Sequence, residues 1–317
     1  MHNYLDFEKP VADLEGQIFE LKKLGGEDES VDVTEEIQRL EKRSHDALAD
    51  LYKKLTPWQR TQVARHPDRP HCNDYLDRLI TDFTPLAGDR KYAEDEAVIA
   101  GFGRFNGESI AVIGQEKGAD TQARLKHNFG MARPEGYRKA VRIMELAERL
   151  GIPVLTLVDT AGAYPGLGAE ERGQAEAIAR STEACLNLRV PLVSIVIGEG
   201  GSGGAIALAA ASRVLMMENS VYSVITPEAG ASILWRDAAR ARDVAQSMKL
   251  TARDLHGFGV IDEIIPEPLG GAHRAPAEAI DSAGERIAAH LDELIPLDGE
   301  TLRQQRREKF LAIGRNL

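Results

Sequence analysis

The sequence is poorest in cysteine. Cys72 and Cys185 are its only two, far apart and outside any C-x-x-C spacing. That excludes a disulfide framework and a cysteine-rich zinc site, and it fits a reduced compartment. Long apolar runs are also missing: none approaches the ~18 residues of a membrane span. The opening "MHNYLDFEKP" carries acids by position 6 and no apolar core, so it does not read as a secretory leader. These features predict a soluble, cytoplasmic protein. Positive charge is in deficit as well, with a formal net charge of −11 and a pI of about 5.3. An acidic chain of this kind is not expected to take nucleic acid or an anionic membrane as its main partner. The chain also contains no Gly-Lys dipeptide, which excludes a Walker-type phosphate loop.

What it has in plenty is glycine at one point. "IGEGGSGGAIALAAASRVLMME" (197–218) packs five glycines into Gly198–Gly204 directly after an apolar run. Three chemistries fit. Gly198, Gly200 and Gly203 match the G-x-G-x-x-G of a dinucleotide-binding oxidoreductase, with Glu218 where a ribose-binding acid would sit. Against this, Glu199 lies inside the loop and the following helix is short. Gly200-Gly201-Ser202-Gly203-Gly204 also matches the G-x-S-x-G elbow of a serine hydrolase, with His256 or His273 as base. Nothing in their spacing makes those histidines converge on Ser202. The third reading needs no side chain: Gly203 and Gly204 open a helix, so their amides lack intrahelical partners and can hold an oxyanion.

The surrounding text alternates strand and helix. "AVIAGFGRFNGESIAVIGQ" (97–115) predicts two strands about the turn Asn106-Gly107. "PEGYRKAVRIMELAERLG" predicts a helix with Pro134 near its start and Gly151 past its end. "GIPVLTLVD" (151–159) and "RVPLVSIVI" (189–197) repeat one pattern, with Pro153 and Pro191 38 residues apart. Each is followed by a glycine-bearing loop and a helix, which implies a parallel sheet with both loops, 160–168 and 198–204, at its carboxyl edge. "RVLMME" and "VYSVIT" predict short strands, "PEAGASILW" leads into a helix, and "LTARDLHGFGVIDEIIPEPLGG" predicts a Thr-capped helix and a strand ending near Ile265. Residues 1–55 read as two helices broken at "LGGEDES", the second capped by Asp32 or Thr34, and residues 275–317 read as charged helices. Met248-Lys249 faintly suggests a biotin acceptor, but Leu250 and a helix cap follow where a second methionine should stand.

Several segments together, "GAYPGLGAEERGQ", "GEGGSGGA", "ITPEAGASILW", "IPEPLGGAHR", "LTPWQRTQVARHPDRP", "LAGDRKYAED" and "NFGMARPEGYRKA", resemble the carboxyltransferase alpha subunits of bacterial acetyl-CoA carboxylase. The likeness runs in order from about residue 4 to 275. It implies an α/β crotonase-like (Clp-protease-like) superhelix of ββα units, divided into an N-terminal helical arm (1–55), a carboxyltransferase domain (56–295) and a C-terminal helical tail (296–317). It implies transfer of the carboxyl group from carboxybiotin on a carrier protein to acetyl-CoA, giving malonyl-CoA for fatty acid synthesis. It implies a zinc-ribbon-bearing beta partner in an α2β2 assembly, alongside a biotin carboxyl carrier protein and biotin carboxylase, with no metal in this chain.

The resemblance carries the oxyanion role onto Gly203 and Gly204, and pocket-lining roles onto Gly162, Tyr164, Pro165, Gly166, Gly200, Gly201 and Ser202. The basic run 124–142, with Arg124, Lys126 and Arg133, reads either as contacts to CoA phosphates or a carboxylate, or as solvated helix faces. The first loop departs from the family text, with Thr160-Ala161-Gly162 where Thr-Pro-Gly is expected, which puts its rigidity in question; Ala229-Gly230 is a smaller departure. A non-catalytic scaffold completing a partner's pocket is the remaining reading.

Overall fold

A computed structural model describes residues 3–27 and 33–315. The helices are α1 (Lys9–Glu27), α2 (Thr34–Lys53), α3 (Pro57–Ala64), α4 (Cys72–Leu79), α5 (Thr121–Lys126), α6 (Pro134–Leu150), α7 (Leu167–Glu171), α8 (Gln174–Asn187), α9 (Ser202–Ala209), α10 (Pro227–Trp235), α11 (Ala241–Met248), α12 (Ala252–Gly257), α13 (Pro276–Leu294) and α14 (Gly299–Ala312). The strands are β1 (Ile80–Pro85), β2 (Val98–Phe105), β3 (Glu108–Gln115), β4 (Val154–Thr160), β5 (Leu192–Gly201), β6 (Arg213–Met217), β7 (Val221–Ser223) and β8 (Glu263–Ile265).

They form one mixed sheet in the order β1-β2-β3-β4-β5-β6-β8, antiparallel up to β3 and parallel from β3 onward. The expected hairpin is present: Phe105 pairs with Glu108 across Asn106 (φ 50°) and Gly107 (φ 85°), the left-handed pair a type I′ turn requires. The helix α6 begins at Pro134 and ends against left-handed Gly151, whose amide donates to the Ala147 and Glu148 carbonyls. The two repeated strands pair in the register of their prolines: Val154 faces Leu192, and the Val154 amide donates to the Pro191 carbonyl at 2.8 Å.

Alternation along β4 and β5 sends residues to two cores. Val154, Val158 and Val196 pack with α6, α8 and α9, whereas Leu155, Leu157, Val193, Ile195 and Ile197 pack with α4 and α13. Strands buried on both faces read as near-continuous apolar runs, as these do. Near its carboxyl end β5 changes partner: Val193–Val196 pair with β6, and Glu199–Gly201 pair with β7. Helices packed on both faces of a sheet that is parallel from β3 onward give the α/β class expected from the sequence.

Elsewhere the detail differs from expectation. The cap of α2 is Val33 rather than Thr34, which is the first helical residue, and Asp32 lies outside the described residues. "PEAGASILW" is itself the helix α10, capped by the Thr226 side chain, and of "VYSVIT" only Val221–Ser223 is strand. The helices α1 and α2 lie against each other and are held to the body by polar contacts. Arg274 donates to Glu15 at 2.9 Å, and His66 Nε2 lies 2.8 Å from the Asn3 carbonyl oxygen. At the other end α14 is anchored by Arg306, 1% exposed, which donates to the carbonyls of Cys185 and Leu188 and to Ser212 Oγ. Among the described residues no helix is long and apolar enough to cross a membrane.

Candidate functional site

The two glycine-bearing loops meet at the carboxyl edge of the sheet. Thr160, ending β4, pairs with Gly200 near the end of β5, and the chain then turns sharply into α9. The turn falls on Ser202, an exposed residue with φ 53°, so the strained position is occupied by serine and not glycine. Gly203 is half-buried and Gly204 buried in the first turn of α9.

Each glycine has its own steric reason. A side chain on Gly201 would begin 2.1 Å from the Ala161 carbonyl oxygen, and one on Gly204 would begin 2.7 Å from the Gly162 carbonyl carbon. One on Gly203 would meet only the Ile178 side chain, at 3.2 Å. Gly200 lies against the Tyr222 ring and Gly166 against the Tyr164 ring. The loops therefore touch backbone to backbone. Despite Ala161 in place of proline, the first loop is braced by Thr160, whose hydroxyl donates to the Gly162 carbonyl at 2.7 Å and accepts the Gly162 amide at 3.1 Å.

Tyr164 is half-buried and Pro165 exposed in the same loop. The Arg133 guanidinium stacks over the Tyr164 ring, 4.7 Å from its centre, and Gln174 donates to the carbonyls of Tyr164 and Ala132. On the α9 side, Ser202, Gly203, Ile206, Tyr222 and Val224 line an apolar groove of about 330 Å³.

Behind the first loop is a second, polar cavity of about 440 Å³. Lys117 lies in it, 2.7 Å from Asp159 and 3.5 Å from Glu199, and Arg65 joins Glu199 to Glu228 of α10. His71 Nδ1 lies 3.4 Å from Asp159 Oδ2. Burial opposes ionisation of Asp159, but Lys117 and then His71 outweigh it and hold the carboxyl down at about 2. Burial likewise opposes the charge of Lys117, and Asp159 and Glu199 reverse that, raising its pKa. Gly198 leaves room for this carboxylate, since a Cβ there would sit 2.5 Å from Asp159 Oδ1.

The basic run mostly faces inward. Arg138 pairs with Asp89 and Glu135, Lys139 with Glu94, and Arg142 with the carbonyls of Leu86, Ala87 and Gly88. Arg124, half-buried, reaches the polar cavity, and Lys126 is exposed beside Glu96.

Two of the three chemistries lack their parts. Both ring nitrogens of His273 are buried without a partner, its ring stacked on His66 at 3.8 Å, and His256 is exposed at the end of α12. Among the described residues neither bonds to Ser202, so no hydrolase triad forms. In the dinucleotide fingerprint the space beside Gly198 is filled by the Asp159 carboxylate and Glu199 is locked in ion pairs, leaving no cradle for a pyrophosphate. Lys249 is a left-handed helix cap.

Sequence reasoning did not single out Gln115, Lys117, His71, Arg65 or Asp159. Only Asp159 carried a signal, as the charged residue next to the carboxyl end of the largely apolar strand β4.

Comparison with known proteins agrees with this architecture. Residues 4–314 match the family model described as acetyl co-enzyme A carboxylase carboxyltransferase-like. The acetyl-coenzyme A carboxylase carboxyl transferase subunits alpha of Brucella anthropi and Brucella abortus are each 69% identical over 317 residues, covering 100% of both chains. Among solved structures, transcarboxylase 12S superposes with a TM-score of 0.59 at 18% identity, over 74% of this chain and 44% of that one. The beta subunit of P. aeruginosa geranyl-CoA carboxylase gives 0.56 at 17%, over 76% and 43%. This chain thus spans less than half the length of either solved chain. On a fold shared with these carboxyltransferases, and with full-length likeness to the alpha subunits, the chain belongs to the acetyl-CoA carboxylase carboxyltransferase alpha subunit family.

Proposed function

We propose that this chain supplies one half of a composite site in which a carboxyl group passes from carboxybiotin, borne on a carrier protein, to acetyl-CoA. The carboxyl carbon exchanges its bond to the biotin ureido nitrogen for one to the acetyl methyl carbon, and the methyl proton ends on that nitrogen. Negative charge develops on an oxygen at each end of the exchange, and preorganised amide donors are the least costly way to hold it. Gly203 and Gly204 are the donors in this reading, aimed by the α9 N-terminus. Gly162, Tyr164, Pro165, Gly166, Gly200, Gly201 and Ser202 line the approach. Arg124, Lys126 and Arg133 are the cations available to an anionic substrate group.

The observation that carries the reading is the backbone contact between Gly204 and Gly162 in a chain 69% identical throughout to acetyl-CoA carboxylase alpha subunits. It favours a site made of main chain, with no side-chain nucleophile or base. The reading includes a zinc-ribbon-bearing beta partner in an α2β2 assembly, with biotin carboxyl carrier protein and biotin carboxylase as further partners, in the cytoplasm. It also keeps the division into arm (1–55), carboxyltransferase domain (56–295) and tail (296–317).

The test is the reverse reaction, malonyl-CoA-dependent carboxylation of biotin, by tagged chain purified with its co-purifying partner. Activity that requires the partner, survives Ser202→Ala and collapses in an assembled Gly204→Val complex supports the reading. No transfer in any preparation, loss confined to Ser202→Ala, or an assembled Gly204→Val complex with full activity would overturn it, the last in favour of a scaffold.

A further inference from the structure

The helix α9 is short and almost without polar side chains, so something else must fix its orientation. Three buried hydroxyl or amide side chains from other elements do so by donating to its carbonyls, and the Cys185 thiol adds a longer contact to the Ala207 carbonyl at 3.5 Å. Ser181 of α8 donates to the Ala207 carbonyl at 2.7 Å, and Thr156 of β4 donates to the Leu208 carbonyl at 2.8 Å. Both satisfy carbonyls of the last turn, which lack intrahelical partners. The third acts at the opposite end. Gln115, the last residue of β3 and fully buried, donates from Nε2 to the Gly204 carbonyl at 2.7 Å. Its Oε1 accepts the Asp159 amide at 3.2 Å. The orientation of this amide is unambiguous, because a carbonyl can only accept and a main-chain N–H can only donate.

We infer that Gln115 is a positioning residue for carboxyl transfer, setting the separation between the two loops that form the site. One end of its side-chain amide holds β4 one residue before Thr160, where the first loop starts. The other holds the first turn of α9, where Gly203 and Gly204 present their amides. No other side chain in the structure hydrogen-bonds both segments among the described residues. The inference rests on the proposed transfer reaction and adds to it a residue that touches neither substrate. Displacing reacting groups by ~1 Å can cost on the order of 100-fold in rate. Removal of Gln115 takes a hydrogen bond from both segments at once, leaving the Thr160–Gly200 pairing and the Asp159 carboxylate's bond to the Glu199 amide to hold the strands together.

The experiment is reverse-transfer kinetics on the complex purified with its partner, comparing wild type, Gln115→Met, Gln115→Glu and Ser181→Ala. Gln115→Met fills the space and makes neither bond: kcat should fall about 10- to 100-fold with KM for malonyl-CoA nearly unchanged. Gln115→Glu keeps the acceptor for the Asp159 amide, but its carboxylate cannot donate to the Gly204 carbonyl. Its protonated form can, so its kcat relative to wild type should rise as pH falls. Ser181→Ala removes a comparable buried bond at the far end of the same helix and should leave kcat within about twofold. An inactive wild-type complex would instead remove the transfer reaction itself. With an active wild type, the inference is overturned by any of three results. These are unchanged kcat in Gln115→Met, a loss in Ser181→Ala equal to that in Gln115→Met, or failure of both Gln115 variants to assemble.

Discussion

Gly204 and Gly162 are in contact through their main chains: a side chain on Gly204 would begin 2.7 Å from the Gly162 carbonyl carbon and 3.0 Å from the Ala163 nitrogen. Gly203, one residue earlier, faces only the movable Ile178 side chain. The two glycines should therefore respond differently to the same small substitution. Gly204→Ala forces the loops apart and should lower transfer by about 10²–10³. Gly203→Ala leaves its amide in place and should stay within about tenfold of wild type. Steady-state kinetics on the two assembled variants checks the contrast.

Ser202 holds a left-handed backbone without a catalytic partner. Ser202→Ala should retain transfer activity and near wild-type stability. Ser202→Gly removes the Cβ that makes this conformation costly, by roughly 1 kcal/mol, and should melt no lower than Ser202→Ala. Thermal denaturation of the two side by side decides it.

Much of this frame was legible from neighbouring residues. Asn106-Gly107 specified the hairpin, Pro134 and Gly151 bounded α6, and the repeated prolines set the pairing of β4 with β5. Each depends on local dihedral preference or on periodicity. The glycine cluster was legible too, because bare backbone is visible in sequence. What supports it was not. Gln115 reaches partners 44 and 89 positions away, and His71 meets Asp159 across 88. A polar side chain at the end of an apolar strand carries no local mark of the loop it will meet. The serine and the histidines offered the chain order of a triad without any spacing that would bring them together, and the structure agrees: His273 is packed against His66 and makes no bond to Ser202.

Arg306 is a buried guanidinium with no carboxylate partner among the described residues, its pKa drawn down to about 10 by burial. Its role is to satisfy the carbonyls of Cys185, Leu188 and Val190 where α8 runs into β5, together with Ser212 Oγ. Arg306→Met leaves several of these acceptors unpaired and should destabilise by on the order of 3 kcal/mol. Arg306→Lys, with a smaller donor set, should recover only part of that. Denaturant unfolding measures both.

The acid limb of stability should fall in two stages. Burial first, then the charges of His66, Arg69 and Arg274, push His273 down to about 3. As pH drops below about 6.5 the unfolded chain takes up a proton that the folded chain refuses. Stability therefore declines, by up to about 1.4 kcal/mol per pH unit, until His273 protonates near its folded pKa. Neither ring nitrogen has a partner to lose, so His273→Phe should flatten this stage without lowering stability near neutral pH. The second stage, which Asp159 shares, is led by Glu267. Burial opposes its charge, but Arg69 and the Asn219 donors hold its pKa down to about 2. Its contribution is present above the ordinary carboxylate range and disappears as pH falls from about 4 toward 2. Urea midpoints measured across pH for wild type and His273→Phe separate the stages.

A donor set made of peptide N–H groups has nothing to ionise and nothing to alkylate. On the proposed reading, this chain adds no pKa of its own to the rate profile at the point of carboxyl transfer. Thiol reagents find no handle here either, since both cysteines are buried and their thiols are shifted upward, Cys185 to about 12. A bell-shaped pH–rate curve for the transfer step, or inactivation by a thiol reagent, should then trace to whatever subunit closes the other side of the groove. Flatness in pH and indifference to thiol reagents are the kinetic signature of a half-site whose oxyanion donors are main chain.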